Sequence, residues 1–309
     1  MEWKGVMPAI TTCFDKNLEV DHAFMAEHCR WFVDNGCTGV VPLGSLGEGA
    51  TLNTEEKLAI LRTCVEAVKS RVPVVASVSA LSTKDAVEFS KAAEQIGCDG
   101  LMVLPPYVYL GEWREMKAHV SAVFRATKLP CMLYNNPLAY GTDFLPEYIK
   151  ELADEHPNLR AVKESSADAR RVTAIKAILR DRLAVFVGVD DSVVEAIGVG
   201  AIGWIAGLVN AFPKESVDLF NLSINGEREK ALELYYWFLP LLRLDTGPQF
   251  VQLIKLVQQE IGRGNARVRP PRLELTGTSL ETALTTIRTS LKNRPKPVQS
   301  AAGQVTYAD

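Results

Sequence analysis

One lysine stands inside an apolar segment that has the length and composition of a β-strand. Lys163 follows Ala161 and Val162, whereas nearly all other lysines fall on polar helix faces, in loops or in tails. Burying an ammonium group is costly unless the group is paired or neutralised. Burial therefore favours the neutral amine, which is a nucleophile for a ketone. The alternative is a structural lysine that pairs with Glu164 or with an aspartate of the seventh predicted strand.

Two neighbouring segments could assist such an amine. Tyr134 ends the preceding predicted strand, and a phenol there could move protons during addition to a ketone if a hydroxyl relay assists it. The alternative is that Tyr134 is only a core aromatic. The glycine-rich turn Gly-Ser-Leu-Gly-Glu at 44–48 could point backbone N–H groups at a carboxylate. Such a turn is weak evidence alone, because barrels need turns of this kind in any case.

These residues belong to an alternation of short apolar runs and amphipathic stretches that repeats eight times. Continuous apolar strands that alternate with helices indicate a parallel sheet buried on both faces. Eight repeats, with no GxGxxG after the first strand, favour a closed (β/α)₈ TIM barrel over an open doubly wound α/β sheet. The predicted strands are 6–12, 39–44, 72–78, 100–106, 130–135, 159–164, 183–190 and 203–208. The predicted barrel helices are 21–35, 54–70, 82–97, 112–127, 144–156, 167–180, 192–198 and 213–225.

The repeat defines the predicted domains. Residues 1–226 form the barrel, residues 227–294 form a C-terminal helical appendage, and residues 295–309, which lack periodicity, form a loose tail. The appendage contains predicted helices at 227–242, 246–262 and 279–291. Active sites of such barrels lie at the carboxyl ends of the strands. The sequence therefore predicts that Lys163, Tyr134 and the turn at 44–48 face one common mouth.

Composition and charge exclude several classes of partner. The chain has 309 residues, a formal charge of −3 and no apolar run near the length of a membrane span, so we expect neither nucleic acid nor membrane as partner. The N-terminal segment lacks signal-peptide features, and six scattered cysteines without a CxxC pair indicate core residues in a reducing cytoplasm. His22 and His28 are six residues apart, which does not suit a shared metal site, so we expect no metal.

Four motifs together resemble the dihydrodipicolinate synthase / N-acetylneuraminate lyase family of Schiff-base barrel enzymes. They are GSLGE at 44–48, YNNP at 134–137, VKESS at 162–166 and GVDD at 188–191, and the resemblance extends over residues 3–294. It implies a homotetramer built as a dimer of dimers, with no metal or organic cofactor and with a 2-oxo acid such as pyruvate as substrate.

The resemblance also implies roles for individual residues. Lys163 matches the Schiff-base lysine, Tyr134 the proton-relay tyrosine, and Ser45 the hydroxyl residue that links Tyr134 to a second tyrosine. Tyr107 matches that second tyrosine, which the family lends across a dimer interface. The residues expected to bind substrate are Ser45, Leu46, Gly47, Ile205, Asn136 and Leu138.

Departures from the family's pattern bear on the substrate. Dihydrodipicolinate synthases follow the tyrosine motif with Gly-Arg-Thr, whose arginine receives the aldehyde's carboxylate, but residues 137–142 here contain no arginine. Leu46 replaces a threonine of the carboxylate nest, and Leu138, Trp204 and Leu208 indicate a smaller or less polar pocket than a neuraminate lyase needs. True dihydrodipicolinate synthase activity is therefore the alternative and not the leading hypothesis.

The leading hypothesis is a lyase acting on a small 2-oxo acid through a Schiff base. It would perform retro-aldol cleavage that releases pyruvate, or dehydration or deamination through the same enamine, on a hydroxyproline- or sugar-acid-derived substrate. A barrel that serves only as a regulatory module is a further alternative, although the joint presence of Lys163, Tyr134, Tyr107 and Ser45 argues against it.

Overall fold

The computed structural model describes residues 1–107 and 109–295, in which seven parallel strands form a curled sheet surrounded by helices. The strands are β1 (Gly5–Pro8), β2 (Val75–Val78), β3 (Gly100–Val103), β4 (Cys131–Asn135), β5 (Leu159–Glu164), β6 (Ala184–Val187) and β7 (Gly203–Ala206). The helices are α1 (His22–Asp34), α2 (Thr54–Val68), α3 (Thr83–Ile96), α4 (Trp113–Arg125), α5 (Pro137–Tyr140), α6 (Pro146–Glu155), α7 (Ala169–Leu179), α8 (Val193–Gly198), α9 (Pro213–Ile224), α10 (Arg228–Leu242), α11 (Phe250–Glu260) and α12 (Gly277–Lys292).

The segment between α1 and α2 closes the sheet into a barrel. The strand order β1-β7-β6-β5-β4-β3-β2 leaves β1 and β2 as edges. Val41 N–H donates to Pro8 O at 2.9 Å, and Val75 N–H donates to Val40 O at 2.9 Å, so this segment bonds to both edges. The predicted barrel is thus confirmed, with the second strand reduced to single bridges. Pro42 accepts from Ser77 N–H at 3.1 Å but has no N–H of its own to donate, so the segment does not form a regular strand there.

Proline also shortens the strand that the sequence predicts in the fourth repeat. The predicted run at 100–106 is a strand only to Val103, since Pro105 and Pro106 follow. The strands themselves are buried almost throughout, as the continuous apolar runs indicate, and Arg160 in β5 is the one exposed strand residue among those described. The barrel interior and the layer between strands and helices therefore form one core.

Three helices follow the barrel, and α11 connects them to it. The predicted helix at 246–262 begins only at Phe250, since a 3₁₀ turn, Gly247 and Pro248 precede it. From α11, Gln258 accepts a hydrogen bond from Thr11 Oγ1 at 2.9 Å just beyond β1. The tail prediction for 295–309 lies, apart from Pro295, outside the described residues. No helix among the described residues has the length and apolar character needed to cross a membrane.

A buried ion pair joins α11 to the turn at 44–48. Lys255 Nζ contacts Glu48 Oε1 at 2.5 Å, and both side chains are almost wholly inaccessible to solvent. Lys255 also donates to Arg267 O at 2.7 Å, and Glu48 Oε2 accepts from Arg269 N–H at 3.0 Å. Each charge is therefore paired and hydrogen-bonded, which is the condition under which a buried ion pair is tolerated.

We predict that Glu48→Gln destabilises the protein by about 3–5 kcal/mol, because it leaves the Lys255 ammonium buried without its counter-charge. Urea unfolding followed by circular dichroism measures the change. The matched control is Asp154→Asn, which removes the partner of Lys150 in an exposed i,i+4 pair and should cost at most about 1 kcal/mol. Equal effects of the two variants would contradict the importance assigned to the buried pair.

Candidate active site

Lys163 lies in β5 directly beside Tyr134 of β4. The two residues are register partners, and Lys163 Nζ lies 4.3 Å from the centroid of the Tyr134 ring. The lysine side chain packs against Gly188, where an added Cβ would come within 2.5 Å of Lys163 Cε. A glycine at 188 is therefore needed for the amine to extend from its strand into the barrel mouth.

The amine of Lys163 has no ion-pair partner in residues 1–107 and 109–295. Glu164 turns to the other side of β5, where it accepts from Asn135 Nδ2 at 3.0 Å and from Ser166 N–H at 2.7 Å. Asp190, from the segment after β6, accepts from the Trp204 indole at 3.1 Å. The structural alternative, a lysine neutralised by one of these carboxylates, does not match this geometry.

The amine opens into a cavity of about 670 Å³, which is within the usual range of small-molecule sites. Besides Lys163 and Tyr134, five of the residues expected to bind substrate line it, namely Ser45, Leu46, Ile205, Asn136 and Leu138. Gly47 does not line it. A Cβ at Gly47 would come within 2.8 Å of Ile10 O, so this glycine serves the close packing of the turn.

The hydroxyl that contacts Ser45 belongs to Tyr140. Ser45 Oγ and Tyr140 Oη are hydrogen-bonded, and the Tyr140 ring lies edge-on to the Tyr134 ring with centroids 5.9 Å apart. Asn136 Nδ2 donates to Tyr134 Oη at 3.0 Å. Burial, followed by the proximity of Tyr134, raises the pKa of Tyr140. Tyr140 therefore stays protonated at neutral pH and can donate to Ser45.

Tyr107 packs on the outer side of this arrangement. Its ring centroid lies 5.9 Å from that of Tyr140, it is half-buried, and it does not line the cavity of its own chain. Tyr107 is predicted to act in the site of a neighbouring chain. The structure contains one chain, so this role stays a prediction. Within one chain, Tyr140 takes the place beside Ser45.

Sequence reasoning missed Tyr140 although a local signal was present. Asn136 precedes Pro137, and Asn136 Oδ1 accepts from Ala139 N–H at 3.0 Å as the N-cap of α5. An asparagine followed by proline is a common start of a helix. The single turn of α5 then directs Tyr140 back towards Ser45, and Gly141, with φ of 72°, ends the turn.

Two charged residues of the cavity come from the segments after the barrel. Asp245 ends the 3₁₀ turn Arg243–Asp245, and Arg272 lies between α11 and α12. Arg272 makes no side-chain hydrogen bond or ion pair within the described part of the chain. Both residues lie far from the four motifs in sequence, and no local pattern predicts that they line the cavity.

Asp190 is wholly buried, and both of its carboxylate oxygens accept hydrogen bonds. In addition to the indole, its carboxylate accepts from Leu208 N–H at 2.8 Å and from Gly207 N–H at 3.2 Å. Burial raises the pKa of Asp190 to about 6, against the opposing effect of these donors and of Lys163. Asp190 therefore fixes the loop after β7.

In the described residues no group of three or more His, Cys, Asp and Glu side chains is placed to hold a metal ion.

Comparison with known proteins gives consistent matches in sequence and structure. The sequence pattern of the dihydrodipicolinate synthetase family matches residues 2–290. A 4-hydroxy-tetrahydrodipicolinate synthase from Methanocaldococcus jannaschii is 33% identical over 276 residues, which cover 88% of this chain and 93% of the relative.

Two solved structures that contain pyruvate share the fold. The chloride-inhibited dihydrodipicolinate synthase of Acinetobacter baumannii has a TM-score of 0.88 at 27% identity, covering 94% of this chain and 98% of that one. YagE, a prophage protein of the dihydrodipicolinic acid synthase family from E. coli K12, has a TM-score of 0.86 at 26% identity, covering 94% and 99%.

We predict that Tyr140→Phe slows exchange of the pyruvate methyl protons in D₂O by at least about tenfold, because it removes the hydroxyl that contacts Ser45 beside the Tyr134 ring and that would assist proton transfer there. Proton NMR measures the exchange. Tyr148→Phe is the matched control, since its ring stacks on Trp113 and does not line the cavity, and we expect a change below about threefold. Equal losses in the two variants would contradict a specific role for Tyr140.

Proposed function

The chain belongs to the dihydrodipicolinate synthetase family, and we propose from this premise that it binds a small 2-oxo acid as a Schiff base on Lys163. Members of this family are Schiff-base lyases with a TIM-barrel fold. The observation that carries the proposal is the buried, unpaired amine of Lys163 beside Tyr134, at the bottom of a cavity large enough for such an acid.

Imine formation can be assigned to residues of this chain. The Lys163 amine adds to the C2 carbonyl, forming the N–C2 bond, and the carbinolamine oxygen then leaves as water with a proton from Tyr134. In this proposal the backbone N–H groups of Ser45 and Leu46, with the Ser45 hydroxyl, hold the C1 carboxylate, which is supported by the place of both residues in the cavity wall. The resulting iminium makes C3 acidic, so that the Tyr134 phenolate can take back a proton from C3 and leave an enamine.

The proposed substrate is a hydroxylated 2-oxo acid derived from hydroxyproline or from a sugar acid. Examples are Δ1-pyrroline-4-hydroxy-2-carboxylate and a 2-keto-3-deoxy sugar acid. The cavity is larger than pyruvate requires, and its wall combines apolar residues such as Leu138 and Phe250 with the polar side chains Asn136 and Thr246. Dehydration and deamination proceed from the enamine described above, whereas retro-aldol cleavage breaks the C3–C4 bond of the iminium and leaves the enamine of pyruvate.

Condensation of pyruvate with aspartate semialdehyde is the second candidate function. The curated relatives described above carry the name of that synthase. One observation in the cavity favours it, since the guanidinium of Arg272 lines the mouth and has no carboxylate partner among the residues that the structure describes. Arg272 could receive the carboxylate that the missing arginine of residues 137–142 cannot.

We further propose a homotetramer, a dimer of dimers, in the cytoplasm. Its support is the family membership together with the exposed side chains of Tyr109 and Leu110, 55% and 73% accessible, which adjoin Tyr107. An interface there would cover them and would bring Tyr107 to a neighbouring chain. A reducing compartment is consistent with all six cysteines being buried and free.

We predict that borohydride reduction in the presence of pyruvate adds a stable adduct to the peptide that contains Lys163. The reason is that, among the lysines in residues 1–107 and 109–295, only Lys163 lines the cavity with an amine that has no ion-pair partner, and mass spectrometry locates the adduct. Lys163→Arg should remove the adduct while keeping a cation on β5. An adduct on another lysine, or none with any 2-oxo acid tried, would refute Schiff-base chemistry and favour a non-catalytic barrel.

We predict that condensation of pyruvate with aspartate semialdehyde has a kcat/KM below about 10⁴ M⁻¹s⁻¹, the lower end of the usual enzymatic range. The reason is that α5 supplies no cation, and a lost charge-assisted partner costs about 2–5 kcal/mol. A coupled assay for the dihydrodipicolinate product measures the rate. A value above this limit that drops at least tenfold in Arg272→Gln would establish the second candidate function, with Arg272 as the carboxylate receptor.

A further inference from the structure

Arg272 is a cation in the cavity wall that has no partner. It lines the cavity together with Lys163, and its side chain is partly buried. No hydrogen bond or ion pair reaches its guanidinium within the described residues. Its nitrogens are nevertheless open to solvent, unlike the shielded and unpartnered Nε of Arg263. A ligand in the cavity can therefore reach this charge.

The backbone that carries Arg272 is held in place. Arg272 N–H donates to Arg269 O at 3.2 Å, and Arg269 N–H donates in turn to the buried Glu48 at 3.0 Å. Between the two arginines lie Pro270 and Pro271, whose rings restrict the backbone φ angle. A cation on an anchored backbone loses little freedom when a ligand binds, so this arrangement favours binding.

The charged groups near Arg272 and in the cavity wall form ion pairs of their own. These pairs are Asp191 with Arg243 at 3.5 Å, Glu48 with Lys255, and Glu56 with Arg269 at 2.8 Å. The second oxygen of Glu48 accepts from the backbone N–H of Arg269. None of these carboxylates is left to neutralise Arg272.

Asp245 is the other acid of the cavity wall among the described residues, and it does not neutralise Arg272 either. It packs on Gly207, where an added Cβ would come within 2.1 Å of its Oδ1. The cation that lies near Asp245 is Lys163. Burial raises the pKa of Tyr140, and the charge of Arg272 opposes this rise, which places Arg272 on the side of Tyr140.

A Schiff base formed with a 2-oxo acid is electrically balanced without Arg272. The iminium on Lys163 carries one positive charge, and the C1 carboxylate carries one negative charge. A monoacid would thus leave the guanidinium unmatched, whereas one further carboxylate would balance it. A carboxylate also fits the planar fork of a guanidinium with two parallel hydrogen bonds. A phosphate dianion would exceed the single positive charge.

We infer that Arg272 binds a second carboxylate at the far end of the substrate, so that the acid bound on Lys163 is a 2-oxo diacid. This inference rests on the proposed Schiff-base function and narrows its substrate class to acids that carry a carboxylate at both ends. It differs from the second candidate function, in which pyruvate forms the Schiff base and the aldehyde brings the carboxylate. The cavity of about 670 Å³ has room for the longer acid.

Two probes that differ in the charge of one end test this assignment. They are 2-oxoglutarate and its 5-methyl ester, in which the distal carboxylate is neutralised. 2-Oxoadipate and its 6-methyl ester repeat the comparison with a chain one carbon longer. Each probe is titrated against the full-length protein under borohydride. The initial rate of adduct formation, followed by mass spectrometry of the intact chain, gives the half-saturating concentration.

We expect the wild type to half-saturate with at least one diacid at a concentration at least about tenfold below that of its ester, as for a hydrogen bond to a charged group. Arg272→Gln should raise the value for that diacid by at least about tenfold and change the value for the ester by less than about threefold. Arg272→Lys should keep part of the preference, because it retains the charge without the planar fork.

Arg267→Gln is the matched control. Arg267 belongs to the same segment, but its side chain does not line the cavity, so neither value should change by more than about threefold.

Two results would overturn the inference alone. The first is that both diacids are trapped no better than their esters while pyruvate still forms an adduct on Lys163. The second is that Arg272→Gln weakens diacid and ester equally, which would assign Arg272 to the C1 carboxylate or to the folding of the mouth. A wild type that forms no adduct with pyruvate or with any of the four probes refutes the Schiff-base function itself, and the inference with it.

Discussion

The buried pair of Glu48 and Lys255 determines how the barrel and the C-terminal helices form one site. Glu48 adopts a left-handed backbone conformation, with φ of 54°, at the end of the turn that carries Ser45. Only glycine fits at position 49 next to it, because a Cβ there would come within 2.3 Å of Leu43 O. A strained, glycine-rich turn of this kind needs an outside constraint, and the charge from α11 provides it.

The same pair also fixes the chain that follows α11. Lys255 holds the carbonyl of Arg267, and Glu48 holds the N–H of Arg269, so the segment leading to Arg272 is fastened at two points. The helices after the barrel are therefore part of the active-site mouth. These helices hold in place the backbone that carries Arg272, because a side chain on a loop reaches a cavity reproducibly only when its backbone is anchored.

The barrel and its reacting amine could be predicted because both leave local signals. Repeated apolar runs fix strand positions, and a lysine within such a run is conspicuous whatever surrounds it. The remaining site residues depend on contacts between distant segments. Tyr140 needed the single turn of α5, and Asp245 and Arg272 needed the packing of the appendage, which no periodicity in the sequence describes. The shortening of the second strand at Pro42 was readable in principle, since proline cannot continue a ladder.

Two aspartates near Gly207 differ in their hydrogen bonding. Burial raises the pKa of both Asp190 and Asp245. Asp190 accepts from two backbone N–H groups and an indole, which hold the loop after β7. Asp245 packs on Gly207, and its Oδ1 has no hydrogen-bond partner among the described residues. A raised pKa therefore does not by itself identify the role of a carboxyl group here, because it is found both in a hydrogen-bonded aspartate and in one with an unpartnered oxygen.

The residues that line the cavity come from two parts of the chain. Lys163, Tyr134 and Ser45 lie on the strands and turns of the barrel itself, and the proposed Schiff-base chemistry uses them on the part of the substrate that every 2-oxo acid shares. Asp245 and Arg272 line the same cavity from the segments after the barrel. Because Lys255 of α11 holds the carbonyl of Arg267, the segment that leads to Arg272 is anchored independently of the strands that carry Lys163 and Tyr134. The four motifs thus contain the residues proposed for imine formation. Asp245 and Arg272, which line the cavity wall from the C-terminal segments, lie outside these motifs.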